Sequence, residues 1–152
     1  MPESSVMPEV VTMRIPSRLE LLGLLDCVVL SLCERMRFDT DATTQVSMSV
    51  IEAGTNAIQH GHRRDPSRPV DVDFQMYPDR IEIRVHDTGP GFDLSSINGD
   101  ATSPEHLLDP RGRGIFIMRA CMDAVKYEFS ASGTVCHLVK HRPPLGTEPP
   151  SV

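Results

Sequence analysis

Residues 70–85 set the tightest limit on what this chain can fold into. Val70, Val72, Phe74 and Met76 alternate with polar residues, and Ile81, Ile83 and Val85 alternate with Glu82, Arg84 and His86. Period-two alternation predicts strands buried on one face. Tyr77-Pro78-Asp79-Arg80 between them predicts a hairpin turn. A hairpin with one apolar face needs another layer to cover that face.

The rest of the chain supplies the layer. Ser17 predicts the cap of a helix over 18–36, with an apolar stripe of Leu21, Leu24, Leu25, Val28, Val29 and Leu32. Asp41 predicts the cap of a second helix that runs to about Gly61 and turns Val46, Val50, Ala53, Ala57 and Ile58 inward. A third follows Gly112 and Gly114, with Ile115, Ile117, Met118 and Cys121 as its buried side. Further strands are expected at 10–15, 124–130 and 134–141, the last two joined by Ala131-Ser132-Gly133. Residues 62–69 form a loop. Residues 92–111 form a long polar loop with a short helix at 104–108, of a length that usually carries function. This order predicts an α+β, two-layer sandwich with helices on one face of a mainly antiparallel mixed sheet. Residues 10–141 make one domain, between a flexible start at 1–9 and a disordered Pro-rich tail at 142–152.

Composition excludes several classes. The chain has 152 residues, enough for one domain with a proper core. There is no Trp and the net charge is −6, which argues against stacking on single strands and against direct nucleic-acid binding. The longest apolar run, residues 21–32, is broken by Asp26 and is too short to span a bilayer, so no membrane role is expected. No charged leader opens the chain, so secretion is not indicated. Cys27, Cys33, Cys121 and Cys136 lack CxxC spacing and read as reduced, buried side chains of a cytoplasmic protein. His60 and His62 have no carboxylate or thiol cluster to complete a zinc site.

Within the second helix Glu52, Asn56 and His60 recur every fourth residue and share one side. A carboxylate and a carboxamide one turn apart are separated by roughly 6 Å along the axis. That suits an Asn holding a metal through its oxygen beside a Glu that polarises a nucleophile. The same spacing also fits a solvated helix face. The strand at 80–87 ends in Asp87, followed by Gly89, Pro90 and Gly91, glycines that let a flat ligand approach the backbone. A carboxylate there can accept from an exocyclic amine such as adenine's, and Asp-x-Gly is also ordinary turn chemistry. Gly112 and Gly114, flanked by Arg111 and Arg113, suit phosphate at a helix start. The P-loop and Rossmann patterns are not met.

Together and in this order, these motifs resemble the GHKL ATPases, a superfamily that includes histidine kinases and gyrase-type topoisomerases. Glu52-x-x-x-Asn56-x-x-x-His60 matches its first box and Asp87-x-Gly89-x-Gly91 its second. Gly112-x-Gly114 matches a glycine box shortened by one glycine, and Gly133-Thr134 matches a late Gly-Thr. The resemblance spans roughly 10–141 and is most similar to the bacterial anti-sigma-factor serine kinases. It implies ATP and Mg2+ as cofactors in a Bergerat fold. It implies Mg2+ on Asn56, the adenine amine on Asp87 with Thr134 assisting, and phosphates by Gly112, Gly114, Arg111 and Arg113. His60, Gly89 and Gly91 would line the same site, and Glu52 would be the base toward a partner serine. The implied partners are a small anti-sigma antagonist protein as phosphoacceptor, a sigma factor, and a second copy in a homodimer. An alternative is an ATP-gated protein-binding module of the same fold without transfer. Asp87-Thr88-Gly89 also matches the aspartic-protease triplet, but that dyad needs two such carboxylates in an all-β fold.

Overall fold

The computed structural model describes residues 6–96 and 110–142. Five strands, β1 (Glu9–Ile15), β2 (Val70–Met76), β3 (Arg80–Asp87), β4 (Ala124–Ser130) and β5 (Gly133–His141), form one sheet in the order β1-β2-β3-β5-β4. Every pairing is antiparallel. The register matches the alternation. Val72 lies opposite Val85 and Phe74 opposite Ile83, while Ile83 and Val85 in turn face Leu138 and Cys136 on β5. All six are buried. The other face is polar: Thr12 donates to Asp73 and Arg14 pairs with Asp71 across β1 and β2. One apolar face therefore receives all the helices, and each large side chain buried there contributes about 1.5–3 kcal/mol.

Helices α1 (Leu22–Arg35), α2 (Thr40–Asn56) and α3 (Pro110–Cys121) make the second layer, with α2 packed between the other two. Val46, Val50, Ala53, Ala57 and Ile58 are buried as their spacing predicts. Several expectations need correction. Asp39, not Asp41, caps α2: its backbone is extended and its side chain accepts from the Ala42 amide at 2.7 Å. Asp41 sits in the first turn, where its charge faces the positive helix end. Ser17 caps nothing. It is buried, with its hydroxyl turned toward His62 and the Arg68 carbonyl. A short 3-10 turn at Leu19–Leu21 precedes α1, which rotates its stripe to Leu25, Val29, Leu32 and Cys33 and leaves Leu24 exposed. Cys33 and Cys136 are buried, Cys121 is half-buried, and Cys27 is exposed.

The second helix does not run unbroken to Gly61. After Asn56 the backbone widens into a π turn, Ala57–Gly61, in which the His62 amide bonds back to the Ala57 carbonyl at 2.9 Å. Such turns are often found at functional sites. Arg63 and Arg64 follow with positive φ, ending the helix without glycine. The expected helix at 104–108, and most of the loop around it, lie outside the described residues. Gly112 and Gly114 are buried inside α3 rather than ahead of it.

Candidate functional site

Two adjoining clefts gather the sequence-predicted residues. The first lies between the C-terminal part of α2 and the sheet. Its floor is Asp87, at the end of β3, 7% exposed and directly opposite Thr134 on β5. The Gly89 amide donates to Asp87 Oδ1 at 2.8 Å. Burial pushes the Asp87 carboxyl above its ordinary range, against the pull of Gly89 and of the nearby His62, His86 and Arg111. Gly61 packs on that carboxylate so closely that a Cβ there would lie 2.6 Å from it. Behind Asp87, Gly133 takes φ +126°, a conformation open to glycine, and its Cβ position is filled by the Asp87 backbone. Gly91, with φ +77°, lies at the wall of the same cleft.

The rest of that wall is aromatic and polar. Phe92 packs edge-on against Tyr127 and Phe129, each with centroids 5.1 Å away, and the Arg111 guanidinium lies 4.3 Å over the Phe92 ring. Burial raises the Tyr127 hydroxyl and pushes the Cys136 thiol up to about 12, so neither ionises at neutral pH. Asn56 Nδ2 and Thr134 Oγ1 are buried and bond to no group among the described residues. A buried polar atom without a partner is costly, and both of these border the cleft.

The second cleft, of about 270 Å3, opens between α2 and α3. It is lined by Glu52, Thr55, Gln59, Arg113, Gly114 and Ile117. Gly114 lies against Glu52: a Cβ there would be 2.7 Å from Glu52 Oε2. Gly114 thus lets α3 approach α2. Asn56 and His60 line both clefts and form the partition between them. Arg111 belongs to the Asp87 side and Arg113 to the Glu52 side. Sequence reasoning grouped the two arginines together, and the turn of α3 separates them. It also missed Phe92, Tyr127 and Cys136 as lining residues. The alternation of Tyr127 and Phe129 along β4 was the available signal.

The donor set suits one kind of metal site. Among the described residues no three His, Cys, Asp or Glu side chains come together to hold an ion. A single carboxamide with phosphate oxygens is a normal environment for Mg2+. Asn56, buried and unpartnered at Nδ2, has an amide that can present its oxygen to the same place once O and N are exchanged.

The model of a family described as "Histidine kinase-like ATPase domain" matches residues 15–140. The protein named serine-protein kinase RsbW from Bacillus licheniformis is 31% identical over 130 residues, covering 82% of this chain and 81% of its own. The protein of that name from Oceanobacillus iheyensis is 32% identical over 122 residues, covering 76% and 77%. Among solved structures, the RsbU and RsbW domains of a Mycobacterium tuberculosis protein align with TM-score 0.63 at 13% identity. That alignment covers 90% of this chain and 34% of the longer one, so this chain spans about a third of its length. The mycobacterial sensor histidine kinase MprB aligns with TM-score 0.53 at 17% identity, over 91% of this chain and 99% of that one. At such identities the two structures speak for the fold alone.

Proposed function

The chain belongs to the histidine kinase-like ATPase domain family, and from that premise we propose that it is an ATP-dependent serine protein kinase of the anti-sigma-factor type. One observation carries the reading. The Asp87 cleft and the Glu52 cleft meet at a partition made of Asn56 and His60. A nucleotide with its base on Asp87 and Thr134 would direct its phosphates past Asn56 toward Glu52, Gly114 and Arg113.

The division of labour follows. Asp87 accepts from the adenine amine, and Thr134, across the β3–β5 pair, supplies a hydroxyl beside it. Asn56 would hold Mg2+, which when bound would neutralise phosphate charge. Arg111 and Arg113 bring positive charge from either side of Gly112. Glu52, half-exposed in the second cleft, is placed to take the proton of an incoming serine hydroxyl. Phosphoryl transfer depends on positioning and charge neutralisation more than on covalent chemistry, and these groups supply both. The acceptor is a serine of a small antagonist protein in the cytoplasm, with a sigma factor as the competing partner. The test is incubation with labelled ATP and the proteins encoded by neighbouring genes. A phosphoserine product supports the reading. ATP-dependent capture of a partner with no phosphoserine would replace it by an ATP-gated binding module.

A further inference from the structure

His62 sits in a closed ring of hydrogen bonds that includes Thr88, the residue after Asp87. His62 is 1% exposed. The Thr88 amide donates to His62 Nε2 at 2.8 Å, and Thr88 Oγ1 lies 3.0 Å from the same nitrogen. On the other side of the ring His62 Nδ1 is 2.9 Å from Ser17 Oγ, and that hydroxyl donates to the Arg68 carbonyl at 2.6 Å. Arg68 Nη2 closes the circuit by donating to the Thr88 carbonyl at 2.9 Å and to Thr88 Oγ1 at 3.1 Å. The members come from the β1–α1 link, the 62–69 loop and the end of β3.

The donors fix the tautomer. A backbone N–H can only donate, so Nε2 is an acceptor and carries no proton. Nδ1 then carries the hydrogen and donates to Ser17, whose own hydrogen goes to Arg68. Only the neutral, Nδ1-protonated imidazole satisfies every member. We propose that His62 is a positioning residue of the nucleotide site, holding Thr88 and so the neighbouring Asp87 carboxylate where adenine must meet it. The inference rests on the nucleotide reading of the Asp87 cleft and adds to it a residue that touches no ligand.

A pH dependence follows. A proton on Nε2 could turn only to Thr88 Oγ1, 3.0 Å away, and would leave the Thr88 N–H without its acceptor, which opens the ring. The charged groups that face His62 are Arg68 and Asp65 on the loop and Asp87 on β3. Burial first, then Arg68, holds the imidazole below its ordinary value, against the weaker pull of Asp87 and Asp65. A histidine with a depressed pKa contributes fully above the ordinary value of about 6.5. That contribution fades as pH falls below it.

The experiment measures ATP and GTP affinity from pH 8 to 5.5 for the wild type, His62→Gln and His62→Leu, with His137→Gln as a control histidine. Imidazole nitrogen NMR on the wild type follows the tautomer. Gln offers a carbonyl to the Thr88 amide and has no proton to gain. His62→Gln should bind ATP within about threefold of wild type at pH 8 and lack the acid limb that wild type and His137→Gln share. His62→Leu leaves the Thr88 amide unpaired and should lose about tenfold or more at every pH, together with the preference for ATP over GTP. Should His62→Leu not fold, the wild-type and His62→Gln profiles decide. A wild-type acid limb unchanged in His62→Gln, or a resting Nε2-protonated tautomer, overturns the inference alone. A wild type that binds no adenine nucleotide overturns the nucleotide reading and the inference with it.

Discussion

Asn56 and Glu52 stand one turn apart on α2, yet their surroundings differ, and so should the consequences of changing them. Asn56 is buried at the partition between the clefts, with its amide nitrogen unpartnered among the described residues. Calorimetry should show Asn56→Ala weakening ATP binding about as much as EDTA does in the wild type. Equal affinity in all three cases would remove Asn56 from the site. Glu52 is half-exposed in the second cleft, so Glu52→Gln should leave ATP affinity nearly intact while serine transfer falls by roughly 10²–10⁴-fold. Loss of nucleotide binding in that variant would make Glu52 structural. At Asp87 the proposed adenine contact works against stability. Burial raises its pKa, so the folded protein binds this proton more readily than the unfolded chain and gains stability as pH falls. Asp87→Asn removes the buried charge. It should raise the melting temperature by a few degrees, about 1 kcal/mol, and remove that pH gain. It should also abolish an ATP-over-GTP preference of at least about tenfold. At this scale the sequence disclosed what one helix face or one strand end could carry. Glu52 and Asn56 were legible because 3.6-residue spacing is local. His62 was weighed only as half of a metal pair, because its partners Ser17, Arg68 and Thr88 come from separate segments that only folding brings together.

The elements were legible where their signal was periodic. All five strands lie within a residue of their expected bounds, since alternation along a strand needs no knowledge of the rest of the chain. Helix starts were less so. Asp39 and Asp41 are equally good caps by type, and the choice fell to the backbone at Asp39, which is extended ahead of the first turn. The π turn at Ala57–Gly61 carries no local mark at all. It adds a residue to the last turn of the second helix, just where Gly61 meets Asp87. Gly61→Ala tests this contact. Its methyl group would meet the buried Asp87 carboxylate, which the Gly89 amide holds in place. Overpacking of this kind should cost about 1–3 kcal/mol in denaturant unfolding and reduce ATP affinity more than tenfold. A variant that binds ATP like the wild type would show that the contact is incidental.

At the scale of the whole molecule, the two-layer plan was legible because one polar sheet face and three amphipathic helices admit little else. The pairing order was not, since alternation is blind to which strand neighbours which. That order places β5 between β3 and β4, and the Asp87–Thr134 pair forms only when the last strand has entered the sheet. The consequence is one of timing. During synthesis, α2 and the β2–β3 hairpin are made before β5, with Asp87 present and Thr134 still missing. We expect nucleotide not to act as a template at that stage, because the Asp87–Thr134 pair is incomplete until β5 is made. In stopped-flow experiments, saturating ATP should leave the refolding rate unchanged and slow unfolding in proportion to the stability it adds. Faster refolding with ATP would place β5 in the sheet early. The protein would then acquire its ligand only once complete, and the ligand would guard the finished fold against coming apart.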